Sequence, residues 1–298
     1  MLRIGVWFDP RHLTYGGPTV VLLGTLIGLC QDAESQKKPI IILLNEPGDV
    51  NWIFDKTEQF QHAVSKCKKA VIGPMIFTPE QTSQPLSHFL YQSEHTHYVI
   101  PSVWMKTYIE KQLNPSPTKQ LHVWGAGIDT GFFTPSAYKL AETHKLAETH
   151  KQQDYFIYFK SQNYDNLRQL HAYLFTNYFK MTGTILTYYH YSPEMLRQAA
   201  QSSRFCIVVD AQETQGLASL EIMACDCPLF VIEEPDANPS VTCWDDERCG
   251  MKSTIDTVEK VFPTFLESLE SYRPREFVCE SYSFQAAART LRTLLESA

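Results

Sequence analysis

Two carboxylates, Glu213 and Glu221, stand eight residues apart around Gly216 within residues 205–232, FCIVVDAQETQGLASLEIMACDCPLFVI. An apolar run at 206–209 reads as a buried strand, 217–225 is rich in helix formers, and 229–232 is a second apolar run. The order strand, turn, helix, strand places the turn at the carboxyl edge of a parallel sheet, where α/β proteins bind ligands. A helix N-terminus there offers free amides and a partial positive charge to an anion such as a diphosphate. Carboxylates repel phosphate but accept hydrogen bonds from sugar hydroxyls. One acid before the helix and one inside it therefore suit a nucleotide bearing a sugar.

The elements that must position this pair recur along the chain. Strands are expected at 2–8, 39–44, 70–77, 98–101 and 120–124, with helices at 19–33 and 103–113, Ser102 serving as N-cap of the latter. The run at 39–44 is continuously apolar, as in a strand buried on both faces. A second series follows: strand 154–160, helix 163–179, strand 184–189, helix 193–202, the 205–232 unit, helix 253–269 and a closing amphipathic helix at 283–296. Alternating strands and helices in two sets indicate an α/β fold of two doubly wound halves. Between the halves, Lys139-Leu-Ala-Glu-Thr-His144 is repeated immediately as Lys145-Leu-Ala-Glu-Thr-His150, which reads as a surface insertion at a domain junction. The expected division is 1–135, a linker at 136–153, 154–282, and a C-terminal helix at 283–298 that packs back on the first domain.

The segment Glu213-Thr-Gln-Gly-Leu-Ala-Ser-Leu-Glu221, followed by Ala224-Cys-Asp-Cys-Pro228, resembles the E-x7-E signature of retaining GT-B glycosyltransferases of the family-4 type. Residues Gly127, Ile128, Asp129, Phe133 and Pro135 match that family's entry to its second domain. The same stretch, Gly125-Ala-Gly127, is not a dinucleotide fingerprint, because an extended, proline-stopped Phe132-Phe133-Thr134-Pro135 stands where a helix would have to begin. The resemblance implies two Rossmann-like domains facing each other across a cleft, an N-terminal acceptor domain and a C-terminal donor domain. It implies a hexosyl transfer, with retention, from a UDP- or GDP-sugar to a glycan or other hydroxyl acceptor, without a metal ion or other cofactor. Glu221 would hold the ribose, Glu213 the transferred sugar, and Lys160 with the amides of Gly216 and Leu217 the diphosphate. Gly16 and Gly17, in the glycine-rich loop before the first helix, would face the donor from the first domain. The family carries Gly-Arg and a following lysine where this chain has Phe159-Lys160-Ser161 and no basic residue at 162–166, so Arg11, Lys106 or Arg168 would have to supply a second cation.

Other clusters are less defined. His12 and His95 are candidates for deprotonating an acceptor, and His95 with His97 is either a metal pair, an acceptor contact or two solvated loop histidines. Tyr188-Tyr189-His190-Tyr191 ends a second-half strand, where an aromatic ring stacks on a base or packs in the core. Asp245-Asp246-Glu247 reads as a charged loop. A net charge of −7 argues against nucleic acid as a partner. The 8 cysteines include no CxxC pair, and Cys30 and Cys206 sit in apolar runs, as in a reduced cytoplasmic protein. No apolar stretch is long enough to cross a membrane, and peripheral membrane contact is left open. Two other classes share these features: a sugar-nucleotide epimerase or hydrolase, and a GT-B-like binding protein without catalysis.

Overall fold

A computed structural model of the chain describes residues 1–8, 17–54, 67, 69–74, 96–112, 121–136, 152–160, 164–188, 190–209, 213–233 and 246–297. The chain divides into two compact units, Met1–Gly127 with Tyr282–Ala298, and Ile128–Ser281. The duplicated hexapeptide lies outside the described residues.

The first unit runs β1 (Leu2–Trp7), α1 (Gly17–Ser35), β2 (Ile40–Leu44), β3 (Val50–Ile53), β4 (Ala70–Ile72), β5 (Thr96–Ile100), α2 (Val103–Gln112) and β6 (Leu121–Val123). Its six strands are parallel, in the order β2-β1-β3-β4-β5-β6. Sequence reading missed β3, because Asn51 interrupts its apolar run. The structure buries Asn51 anyway and satisfies it: its amide donates to the Lys69 carbonyl at 3.1 Å and its oxygen accepts from the Gly48 amide at 3.0 Å. The expectation for 39–44 also needs correction. β2 is an edge strand, with Ile41 and Leu44 about half exposed, since only β1 pairs with it.

The second unit runs β7 (Gln153–Phe159), α3 (Tyr164–Asn177), β8 (Gly183–Thr187), α4 (Pro193–Ser202), β9 (Ser203–Val209), α5 (Leu217–Ala224), β10 (Leu229–Glu233), β11 (Gly250–Thr254), α6 (Val258–Glu267) and α7 (Pro274–Ser281). Its five parallel strands are ordered β11-β10-β9-β7-β8. Residues 203–209 and 229–232 are almost wholly buried, as strands covered on both faces must be. On one face Ile157, Phe159, Phe205, Ile207, Phe230 and Ile232 pack with Leu170 and Leu174 of α3 and with Phe262 and Phe265 of α6. α4 and α5 lie on the other face, and α7 packs against α5. The helix expected at 253–269 is present as a 3-10 turn at Ile255–Thr257 running into α6, except that 253–254 are the end of β11; α7 was not anticipated. The polar stretch before α6, capped by Thr254 and Thr257, hides the strand end from a periodicity reading.

After α7 the chain returns to the first unit as α8 (Phe284–Ser297), which packs along α1. Gly24 and Gly28 of α1 permit this approach: a Cβ on either would overlap Phe284. The Trp124 indole donates to the Ala287 carbonyl at 2.8 Å. Asp32, fully buried on α1, is 3.1 Å from Arg289 Nε and 3.5 Å from Arg292 Nη1. Arg292 is itself buried, and its loss leaves the enclosed Asp32 with only Gln36 and the half-exposed Arg289 as side-chain partners among the described residues. Arg292→Met should cost about 3 kcal/mol of stability, against under about 1 kcal/mol for Arg289→Met, whose guanidinium is half exposed. Urea denaturation of the two variants measures the difference.

Candidate functional site

The first strand of the second unit, β7, is flanked by β8 on one side and β9 on the other, so the chain changes direction of travel across the sheet there. In open parallel sheets the crevice beyond the carboxyl ends of the two strands at such a switch is the ligand position. Lys160 leaves the end of β7, and its amide donates to the Val209 carbonyl, the last residue of β9, at 3.2 Å. Glu213 follows β9 by four residues. Its Oε1 lies 2.5 Å from Lys160 Nζ, with both side chains mostly covered. The Lys160 ammonium also stands 4.9 Å from the ring centre of Tyr188, which leaves the end of β8. The switch point therefore holds a cation, a carboxylate and an aromatic face.

α5 opens on Gly216, in the left-handed conformation (φ 76°, ψ 52°) that costs a residue with a side chain about 1–2 kcal/mol. No side chain among the described residues caps this end, and the first helical bond, from the Leu220 amide to the Gly216 carbonyl, is 3.1 Å long. Within α5 all residues but Leu217 and Glu221 are buried. These two are four apart, hence on one face, so the only open side of the helix carries Glu221 just behind the uncapped amides. Protein encloses the Glu221 carboxyl on most sides while the residue keeps partial exposure. That desolvation raises its pKa from 4.5 to about 8, and no hydrogen bond or ion pair to it is present among the described residues. Tyr191 is near enough to feel both Glu221 and Glu213, and burial first, then these charges, push its phenol up to about 12. Its hydroxyl lies 3.2 Å from that of Tyr158, on the buried face of β7.

Lys160, Glu213, Gly216, Leu217 and Glu221 thus gather at one sheet edge, with Tyr188 and Tyr191 beside them. Gly17 begins α1 in the first unit, whereas Gly16, His12, His95 and Arg11 lie outside the described residues. His97 is no loop residue. It belongs to β5, and its Nδ1 is 2.8 Å from Nε2 of His122 on β6, the rings stacked with centroids 5.0 Å apart. Burial, then His97 and Lys106, lower the pKa of His122. Ser102 does not cap α2, since its buried hydroxyl has no hydrogen-bond partner. Lys106 pairs with Glu110, and Arg168 with Asp165 on the exposed side of α3. Asp246 caps the turn at 247–249 and pairs with Arg248 at 2.9 Å. Among the described residues no group of three or more His, Cys, Asp or Glu is placed to hold a metal ion, the seven cysteines form no disulfide, and no helix is long and apolar enough to cross a membrane. Cys30 is exposed on α1 rather than buried. Sequence reading missed Tyr158 and Arg275. Tyr158 sits within an apolar strand, and Arg275 on a helix without a marked pattern.

No protein-family model matches the sequence, and no curated protein does. The fold has clear counterparts among solved structures. HepE from Anabaena, solved with UDP-glucose, superposes with a TM-score of 0.57 at 11% identity over 100% of both chains. A glycosyltransferase from Rickettsia africae gives 0.61 at 10% identity over 99% of this chain and 98% of the other. Sucrose-phosphate synthase from Thermosynechococcus elongatus gives 0.59 at 11% identity over 100% and 99%. The α/β fold, two parallel sheets with their helices, is therefore of the GT-B type.

The Glu221 carboxyl supplies a pH test that needs no ligand. Its proton is held more tightly in the folded chain than in the unfolded one. The resulting stabilisation is present below about pH 4.5 and lost as the pH rises through about 8. Glu221→Gln, permanently neutral, should melt with the wild type at about pH 4 and above it at about pH 9. Thermal melts across that range read the crossover.

Proposed function

We propose that the chain is a retaining glycosyltransferase that moves a hexose from a UDP- or GDP-sugar to a hydroxyl of a glycan or other acceptor. The observation that carries this reading is the grouping at the β7/β9 switch point of Lys160, Glu213, the uncapped α5 amides and the enclosed Glu221. Solved GT-B proteins that hold UDP or UDP-glucose support it. The diphosphate lies against the Gly216 and Leu217 amides, where the helix end favours negative charge. Lys160 leaves Glu213 and turns to the phosphates. Glu213, released, accepts hydrogen bonds from the sugar hydroxyls, and Glu221 accepts from the ribose diol. As the sugar–phosphate bond breaks, charge grows on the departing diphosphate, and fixed amides and an ammonium stabilise it without reorganising. The roles assigned here call for no metal ion. Tyr188, uncovered when Lys160 moves, is placed to meet a flat ring.

A thermal-shift screen of UDP- and GDP-sugars tests binding first. At about 100 times its Kd, a true donor adds roughly 2.7 kcal/mol of stability, and no shift with any donor rejects the proposal. Lys160→Met should abolish transfer while Glu221→Ala weakens binding of the free nucleoside diphosphate. Glu213→Ala should leave nucleoside diphosphate binding near wild type and damage transfer. Added EDTA should not change the rate. Product analysis separates the alternatives, since an epimerase or hydrolase returns altered or free sugar without an acceptor. Binding without any turnover marks a non-catalytic binding protein.

A further inference from the structure

Arg275, on α7, makes three hydrogen bonds to main-chain carbonyls. Nη1 donates to the Phe133 carbonyl at 3.0 Å and to that of Ala224, and Nη2 donates to the Thr130 carbonyl at 3.1 Å. Ala224 is the last residue of α5, whose final carbonyls have no successor amide within the helix. A guanidinium at that end answers both the unpaired acceptors and the negative pole of the helix. Its other two partners belong to the loop at residues 128–135. That loop is braced by contacts of its own. Asp129 Oδ1 accepts from the amides of Gly131 and Phe132 at 3.0 and 2.9 Å. Phe133 is buried, Arg197 stacks on Phe132 at 4.3 Å, and Gln201 donates to the Thr134 carbonyl at 2.7 Å. So one fork ties the far end of α5 to this braced loop, all within the second unit.

The consequence is mechanical. α5 has 8 residues, about 12 Å in length, with the Gly216 and Leu217 amides at its N-terminus and Glu221 on its open face. The buried residues of α5 set its rotation, while a helix so short and entered through a left-handed glycine is tied at its C-terminal end by Arg275. We propose that Arg275 is a positioning residue for the nucleoside diphosphate site, holding α5 by its C-terminal carbonyl so that the Gly216–Leu217 amides and Glu221 keep their aim. Lysine cannot replace it in full, because a single ammonium lacks the planar fork that reaches carbonyls on two segments at once.

This inference rests on the proposed function, and its test keeps the two apart. UDP and GDP affinities are measured by calorimetry for the wild type, Arg275→Met, Arg275→Lys and, as a control, Leu174→Ala, a core change on α3. The control reports what lost stability alone does. Arg275→Met should bind the nucleoside diphosphate about tenfold more weakly or worse and raise the donor KM more than it lowers kcat. Arg275→Lys should recover part of the loss, and Leu174→Ala, with a comparable fall in Tm, should bind as the wild type does. Wild-type affinity in a folded Arg275→Met overturns the inference and leaves the proposed function intact. Equal weakening in Leu174→Ala also overturns it, by reducing the effect to stability. A wild type that binds neither nucleotide rejects the proposed function, and the inference with it.

Discussion

β9 and β10 are buried along nearly their whole length, and that burial dictates where polar chemistry in the second unit can stand. A parallel strand covered on both faces has no room for an unpaired charge. Hence Lys160, Glu213 and Glu221 come either just after a strand end or on the single open face of the helix that follows. Because all five strands point one way, those positions collect at one edge. The switch between β8 and β9 on either side of β7 then selects the place along that edge. The ion pair of Lys160 with Glu213, the aromatic face of Tyr188 and the uncapped end of α5 converge there as a consequence of topology.

How α5 is built shows the same economy. Its buried residues fix its rotation, leaving Leu217 and Glu221 outermost, and Gly216 supplies the backbone turn without a Cβ that would be strained. The same enclosure that orients Glu221 also raises its pKa. Position and protonation are two results of one packing arrangement. Arg275 completes it from the opposite end of the helix.

Much of this was legible in the sequence because it rests on local pattern. The 205–232 segment carries apolar runs, a glycine and two acids at a fixed spacing, and each lies where that spacing places it. Failures occurred where tertiary context overrode the local signal. β3 was hidden by Asn51, whose partners Gly48 and Lys69 lie outside the strand. The edge status of β2 depends on strand order, which an apolar run does not encode. His97 looked like a loop residue until β6 brought His122 beside it. Arg275 was invisible for a deeper reason: its three acceptors are main-chain carbonyls from two segments, and a carbonyl has no sequence identity.

The first unit obeys a related rule on a different element. α1 is apolar on nearly every side, so α8 covers one flank, and the Gly24 and Gly28 backbone comes close to Phe284. The buried Asp32 of α1 lies against Arg289 and Arg292 of α8 across that contact. The proposed donor site, however, lies at the edge of the second sheet. Its most direct measurement is a 1H–15N spectrum titrated with UDP. The amides of Gly216, Leu217 and Ala218 should move most, while those of Ser203 and Gly250, at the amino ends of their strands, stay still. Saturable shifts that leave Gly216 and Leu217 unmoved would contradict the account.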